Sequence, residues 1–485
     1  MIAPFILIGI VAGLLTASYL TNPFSRFTLI RRPFISRLER GMIKAINNNH
    51  RLTVRQGPGW KLFAMAKNGV HIISSRYIKS PPAVASSLED IIESIHRKRF
   101  DPSKLLLISG DHFSSLFVRN LGVFYYPTLD GRIPSSKDDW RDRQMIYIQT
   151  LAYALGVFQK YPVPTTTIVS TGRYRATCVN IYAYPPDTVY AILYALAALL
   201  GKQQATPQDY TKPKHRLDTI DAARRLLDEY HDTLTKLYDH YFQTIYDPAT
   251  GLVRRDRHFS GAKDITRRHC SFYDNIMLWK TASLAMDLSI ISNDEEFLRQ
   301  LKRRIIKTFW LEHEGHFLED LSDEGIAGKY YSSEWLIVLA TGFLDPYKTR
   351  ERQYFERSVS YIQRQKLDQP FPLKYHHDTR KHRQFWAVRL AVASYGGDAI
   401  WSFWGMEYIK TLLLLYMATG KSMYLRSADQ HIASYKQVML RDGGFPETYD
   451  PQGRLLQTPL YRSIVQTGWV IGFEQAMAMR RAIKE

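Results

Sequence analysis

Two cysteines, Cys178 and Cys270, are all that the 485 residues contain. They stand far apart, outside any CxxC and with no histidine at a zinc-ligand spacing, so a disulfide framework is excluded and a zinc ribbon has no ligands. The compartment stays open, because a reducing interior and a bacterial exterior both tolerate so few thiols. Acid is nearly missing from one stretch. The first 80 positions hold twelve Lys and Arg against a single carboxylate, Glu39, which concentrates there eleven of the nineteen net positive charges. A glycine-rich phosphate loop, a readable Ser/His/Asp arrangement and a nucleic-acid motif are also missing. Cofactor-dependent chemistry and nucleic-acid binding therefore have no support, and no cofactor is expected. Tyr-His-His-Asp at 375–378 lacks the i, i+4 helical spacing that sets two imidazoles on one face, so no metal is expected either. No fixed repeat period runs through the chain, which weighs against a solenoid.

What is present begins with an uncharged run from Ile2 to Leu20, at the short end of what crosses a bilayer as a helix. A single transmembrane anchor over 1–22 is expected. A cleaved signal peptide is the rival, but it would open with Lys or Arg, whereas here Arg26, Arg31, Arg32, Arg37 and Arg40 follow the run. By the positive-inside rule this order leaves the body of the protein cytoplasmic. The basic stretch is attracted to anionic lipid heads, which makes the membrane a partner and explains the charge without nucleic acid.

Beyond the anchor, 23–83 reads as a basic juxtamembrane stretch and a small β-rich entry segment. Residues 50–78 alternate around Gly-Pro-Gly and Asn-Gly, the pattern of short hairpin strands. From Ser86 the period changes: Ser86 with Glu89 forms a capping box, and Asn293 with Glu296 repeats the signal. Helices are expected at 84–99, 112–126, 138–160, 186–201, 215–246, 271–290, 293–309, 331–343, 349–364, 397–419, 421–439 and 461–482. Short junctions at 290–293, 344–348 and 419–421 contrast with long ones at 161–185, 247–270, 365–396 and 440–460 that are rich in Gly, Pro, His and aromatics. Twelve helices paired as six hairpins, with the long loops on one rim, describe an all-α (α/α)6 barrel over 84–485 whose cleft lies at the loop-rich end.

Those loops carry the chemistry. GGFPETYDPQGR at 443–454 presents Glu447 among glycine, proline and ring side chains, and SFYDNIMLW at 271–279 presents Asp274 at the entrance to an apolar helix. Glycoside cleavage needs two such carboxylates: one undissociated, to protonate the leaving oxygen, and one ionised. The 31 tyrosines supply stacking rings with a polar handle, suited to a wet cleft.

These segments resemble the six-hairpin glycosidase superfamily, closest to glycoside hydrolase family 63-like and amylo-alpha-1,6-glucosidase-like enzymes. SFYDNIMLW is similar to the segment that carries the general acid there, and GGFPETYDPQGR, followed by Thr467-Gly-Trp469, to the one that carries the general base. Tyr395-Gly-Gly-Asp398-Ala-Ile-Trp401-Ser-Phe-Trp404 resembles the turn that lines the sugar pocket. The resemblance implies Asp274 as acid, Glu447 as base, and Tyr273, Asp398, Trp401, Trp404 and Trp469 at the sugar. It also implies hydroxyl binding by Asp264, and a grip on the reacting sugar by Arg119 and Asn120, although an Asp is usual where Asn120 stands. The activity implied is inverting hydrolysis of a glucoside or related glycoside. Glu334 is the substitute base if Glu447 is structural. A sugar epimerase working through His376, His377 and His382, and a toroid that only binds glycan, are the competing readings.

Overall fold

The computed structural model describes residues 37–78, 87–99, 115–122, 137–172, 174–180, 185–202, 217–259 and 261–483. The expected anchor at 1–22 lies outside them. Among the described residues no helix is long and apolar enough to cross a membrane.

The structure is mostly helical. In chain order the elements are α1 (Arg37–Asn49), β1 (Thr53–Val54), α2 (Pro58–Ile78), α3 (Leu88–Arg99), β2 (Ser115–Phe117), a 3-10 turn (Val118–Leu121), α4 (Lys137–Lys160), β3 (Thr167–Gly172), β4 (Arg175–Val179), α5 (Thr188–Leu199), α6 (Leu217–Glu229) and α7 (His231–Ile245). Then come β5 (Tyr246–Asp247), β6 (Leu252–Val253), α8 (Phe272–Asp287), α9 (Glu295–Phe309), β7 (Trp310–Leu311), β8 (His316–Phe317), α10 (Asp323–Ala327), a 3-10 turn (Ser333–Leu336) running into α11 (Ile337–Thr341), and α12 (Thr349–Arg364). The last are a 3-10 turn (Lys381–Arg383), α13 (Trp386–Ala391), β9 (Ile400–Trp401), α14 (Ser402–Thr419), α15 (Ser422–Asp442), β10 (Thr448–Tyr449) and α16 (Val470–Ala482).

Two kinds of helix alternate. In α5 all twelve residues are buried, and α8 and α14 are buried along most of their length. A helix apolar all round must be surrounded by protein. By contrast, α9 buries Leu301, Ile305 and Phe309, one residue per turn, and α7, α12 and α15 likewise bury one stripe and leave the rest polar. The buried helices pack side by side, α5 on α8, α8 on α11 and α11 on α14, and α16 packs on α14. The striped helices lie outside them, as α9 does on α8 and α15 on α14. Gly420 at φ +69° ends α14 in the left-handed conformation that the expected junction requires, and α15 starts at once.

The structure corrects several expectations. Residues 58–78 form one helix. Gly57-Pro58-Gly59 sets its start, with proline in the first turn where its missing N–H costs nothing, and Asn68-Gly69 lies inside it. The only strand of that segment, β1, pairs in parallel with β4, in a sheet ordered β1-β4-β3-β2 whose other strands come from 115–179. Of the helix expected at 112–126, the described residues 115–122 form β2 and one 3-10 turn, because Ser115 to Phe117 pair with Thr167 to Val169. Residues 217–245 are two helices, α6 and α7, broken at Tyr230. The caps sit one residue from where they were read: Ser87 accepts from the Asp90 N–H at 3.1 Å, and Asp294 from that of Phe297 at 2.9 Å.

Candidate active site

The buried helices and α16 start at one place. Asp187 immediately precedes α5, Asp274 lies in the first turn of α8, Glu334 in the turn before α11, Trp401 immediately precedes α14, and Trp469 precedes α16. Ser271 accepts the Asp274 N–H at 3.0 Å and Ser332 that of Glu334 at 3.4 Å, so both carboxylates are held by serine caps. The long loops interlock over these starts. Thr266 bridges Gln384, Lys374 bridges Ile400, Phe445 bridges Gln466, and β9 pairs antiparallel with β10, matching Trp401 to Thr448.

Side chains then link one helix start to the next. Arg119, buried in the first 3-10 turn, donates to Asp264 at 3.2 Å and sits 3.6 Å from Asp187. Tyr273 donates its hydroxyl to Asp187 at 3.2 Å. The next residue, Asp274, lies within electrostatic reach of Asp187, Arg268 and Glu334, and Arg268 is ion-paired to Glu334. Tyr375 lies beside Glu334 and Arg268 and meets Trp401 edge-on at 5.3 Å. Trp401 packs on Tyr395 at 4.7 Å and donates its indole N–H to the Tyr395 carbonyl at 2.9 Å. Finally, Tyr395 donates to Glu447 at 3.2 Å, as Tyr461 does to the other carboxylate oxygen at 3.2 Å, and Asp264 lies within reach of Tyr395. The circuit closes on Arg119.

All of these groups are buried or nearly so. Burial pushes Asp274 up to about 7 against the pull of Arg268 and the Ser271 hydrogen bond, with Glu334 and Asp187 adding to the rise. It pushes Asp187 up to about 6 against Arg119, and raises Asp264 as well. Arg268 is held above its ordinary value: burial opposes its charge, but Glu334 and Asp274 more than offset that. Asp274 Oδ1, Asp187 Oδ1, Glu334 Oε1 and Arg268 Nη2 have no hydrogen-bond partner among the described residues. Gly261 runs over Asp274 so closely that a Cβ there would stand 2.7 Å from Oδ1. A buried polar atom without a partner is uncommon, and here four of them lie on neighbouring residues.

Of the expected site residues, Arg119, Asp264, Tyr273, Asp274, Trp401 and Glu447 belong to this circuit. Asn120 is buried beside Arg119 in the same turn. Trp469 is half-buried, 5.9 Å from Trp401 and 5.7 Å from Phe403. Trp404 is buried in the core against Phe403 and Tyr375. Asp398 lies off the circuit, half-buried near Asp378, Lys374 and Ser394 and raised by burial. The histidines disperse. His376 is buried, with Nδ1 2.6 Å from the Tyr331 carbonyl and Nε2 3.4 Å from Glu319; His377 pairs with the Tyr361 hydroxyl at 2.9 Å; His382 is exposed, 2.9 Å from Glu324.

Sequence reasoning missed Asp187, Arg268, Tyr375, Tyr395 and Tyr461. Asp187 had a signal, since Pro-Pro-Asp before an apolar run is a helix start. Arg268, three residues before the Ser271 cap, had none.

No protein-family model matches the chain, and no curated protein matches it in sequence. Solved structures do match. A glucoamylase from Hormoconis resinae superposes with a TM-score of 0.53 at 10% identity, covering 87% of this chain and 74% of the enzyme. A D-mannose isomerase superposes at 0.50 and 11% identity, covering 84% of this chain and 100% of that one. A rhamnosidase from Klebsiella oxytoca gives 0.49 at 13% identity, and this chain spans 66% of that enzyme's length. The chain shares its fold with the glucoamylase and the D-mannose isomerase. A hydrolase and an isomerase share it, so chemistry has to be argued from the residues at the helix starts.

Proposed function

We propose that this protein is a glycoside hydrolase of the (α/α)6 type, cleaving a glucoside or related glycoside by inverting single displacement, with Asp274 as general acid and Glu447 as general base. The observation that supports this most is Asp274. Its carboxyl is capped in position, free at Oδ1 and pushed up to about 7, so a large share of it is undissociated near neutrality. An ordinary aspartate would have lost its proton and could not donate to a leaving oxygen. Glu447 is held between two phenol donors, which orient a carboxylate to take a proton from water. Arg119, Asp187 and Asp264 form a paired polar wall for sugar hydroxyls, and the half-buried Trp469, packed on Trp401, offers a ring face. An epimerase of this fold class working through histidines is disfavoured, because His376, His377 and His382 are each engaged with different partners.

The test is sugar release from a panel of α- and β-linked glucosides, mannosides and disaccharides, with the anomer of the first product followed by NMR. Release with inversion by the parent, lost in Asp274→Asn and Glu447→Gln while the sugar still binds, is the expected outcome. Undiminished release in either variant would remove that residue from its role. Retained configuration would reject single displacement.

A further inference from the structure

Helix α2 carries its polarity inside out. The side facing the body of the protein contains the buried Ala64, Lys67 and Ser74, with Lys67 donating to the Ser170 carbonyl at 2.6 Å and Asn68 accepting from Ser115 at 2.5 Å. The opposite side is apolar and open to solvent: Leu62 is 70% exposed, Met65 40% and Ile73 44%. Leu62, Met65, Gly69 and Ile73 follow one another at three- and four-residue spacing, which is one stripe of a helix. At its start Trp60 and Phe63, both more than a third exposed, pack edge to face at 6.2 Å beside an open hollow of about 340 Å³ lined by Gly57, Pro58, Gly59, Trp60 and Phe63. The outer helices α7, α9, α12 and α15 do the reverse and turn polar faces outward. A soluble surface does not need such a stripe.

Charge says what covers it. No Asp or Glu occurs anywhere in α2, and the exposed Arg51, Arg55 and Lys61 flank its start. They belong to the first 80 residues, which carry twelve basic side chains and one acid. A second copy packing on the same stripe would bring two such segments together and set like charges against each other. A bilayer with anionic heads does the opposite: it accepts the apolar stripe at the acyl boundary and the cations at the phosphates. We propose that α2 lies in the surface of an anionic lipid bilayer, with Leu62, Met65 and Ile73 turned into it. The proposal needs neither the hydrolase reading nor a spanning segment.

The test uses the full chain with Leu62→Cys carrying an environment-sensitive fluorophore. Cys178 and Cys270 are buried and leave the new thiol as the reactive one. A second preparation carries the label at Met423→Cys on α15, a position 48% exposed. With phosphatidylglycerol–phosphatidylcholine vesicles the Leu62 label should shift to the blue and escape an aqueous quencher, less so with phosphatidylcholine alone, while the Met423 label stays in water. In Leu62→Glu with Ile73→Glu, affinity for the anionic vesicles should fall roughly tenfold or more, or, if another segment retains the chain, a label at Met65→Cys should return to water. A Leu62 label that stays quenchable on vesicle-bound protein, or a failure of the protein to bind the vesicles, overturns the proposal. Burial of that label without lipid, reversed on dilution, would assign the stripe to a second copy and overturn it equally.

Discussion

Glu319 and Asp274 are neighbours with the same burial and opposite chemistry. The Glu319 carbonyl accepts the Phe272 N–H at 2.9 Å, next to the turn that holds Asp274, and the two residues are 3% and 1% exposed. Around Glu319 stand Lys263 at 3.2 Å, Arg380 at 2.8 Å, Arg383 at 3.0 Å and His376 at 3.4 Å. Burial alone would raise this carboxyl, but Lys263, Arg383, Arg380 and Arg268 outweigh it and bring it down to about 2. Asp274 shares one cation, Arg268, with Glu334, and burial wins, taking it up to about 7. Depth in the protein thus does not set a carboxyl's titration by itself; the number of cations in reach separates a buried carboxylate held down from one pushed up.

Removing either carboxylate should separate function from stability. Asp274→Asn is expected to cost roughly 10²–10⁴ in kcat, the usual contribution of a general acid, with the fold intact by circular dichroism. Equal turnover would erase the distinction. In stability the sign works the other way. The folded Asp274 binds its proton more tightly than the unfolded one does, so it costs the parent stability as pH rises from its ordinary 3.8 to about 7; the Asn variant should therefore gain on the parent across that window in urea titrations.

Glu319→Gln should do the reverse, losing about 3–5 kcal/mol in the same titrations because it strands several buried cations. A depressed carboxyl stabilises the fold above its ordinary value of 4.5, and that share disappears as pH falls through about 2. The parent should accordingly lose stability between pH 4.5 and 2 in a way that Glu319→Gln does not. A variant as stable as the parent would mean the cluster is replaceable.

A subtler change sharpens the contrast. Glu334 raises Asp274 and Arg268 lowers it, so Glu334→Gln leaves the guanidinium free to act on Asp274 and should move the alkaline limb of the kcat profile to lower pH. An unmoved limb would indicate that another group sets it. Smallest of all, Tyr461→Phe removes one of two phenol donors to Glu447 and should lower kcat by roughly tenfold or less, with KM nearly unchanged.

Much of the barrel was legible because burial writes a period into sequence: α5, α8 and α14 read as apolar runs, and α9 and α12 as stripes between short junctions. Asp274 stood out because it opens onto such a run, and Glu447 because it stands in a loop rich in Gly, Pro and aromatic residues. Arg268, Glu319 and Tyr395 did not, since they sit in loops whose partners are set by three-dimensional closure and leave no spacing to read. Helix α2 misled for a physical reason. Leu62, Met65 and Ile73 face away from the protein, so the apolar pattern does not mark a core-facing stripe, and Gly-Pro-Gly and Asn-Gly carry the signature of hairpin turns inside a helical segment.

The most direct measurement is the ionisation of Asp274 itself, followed by infrared difference spectroscopy of the carboxyl band between the parent and Asp274→Asn as pH is raised. A protonated carboxyl that persists through pH 6, disappears around 7 and is missing from the variant is the predicted result. A difference signal that titrates near 4, where an ordinary aspartate does, would contradict the account, because the proposed acid would then have no proton to give.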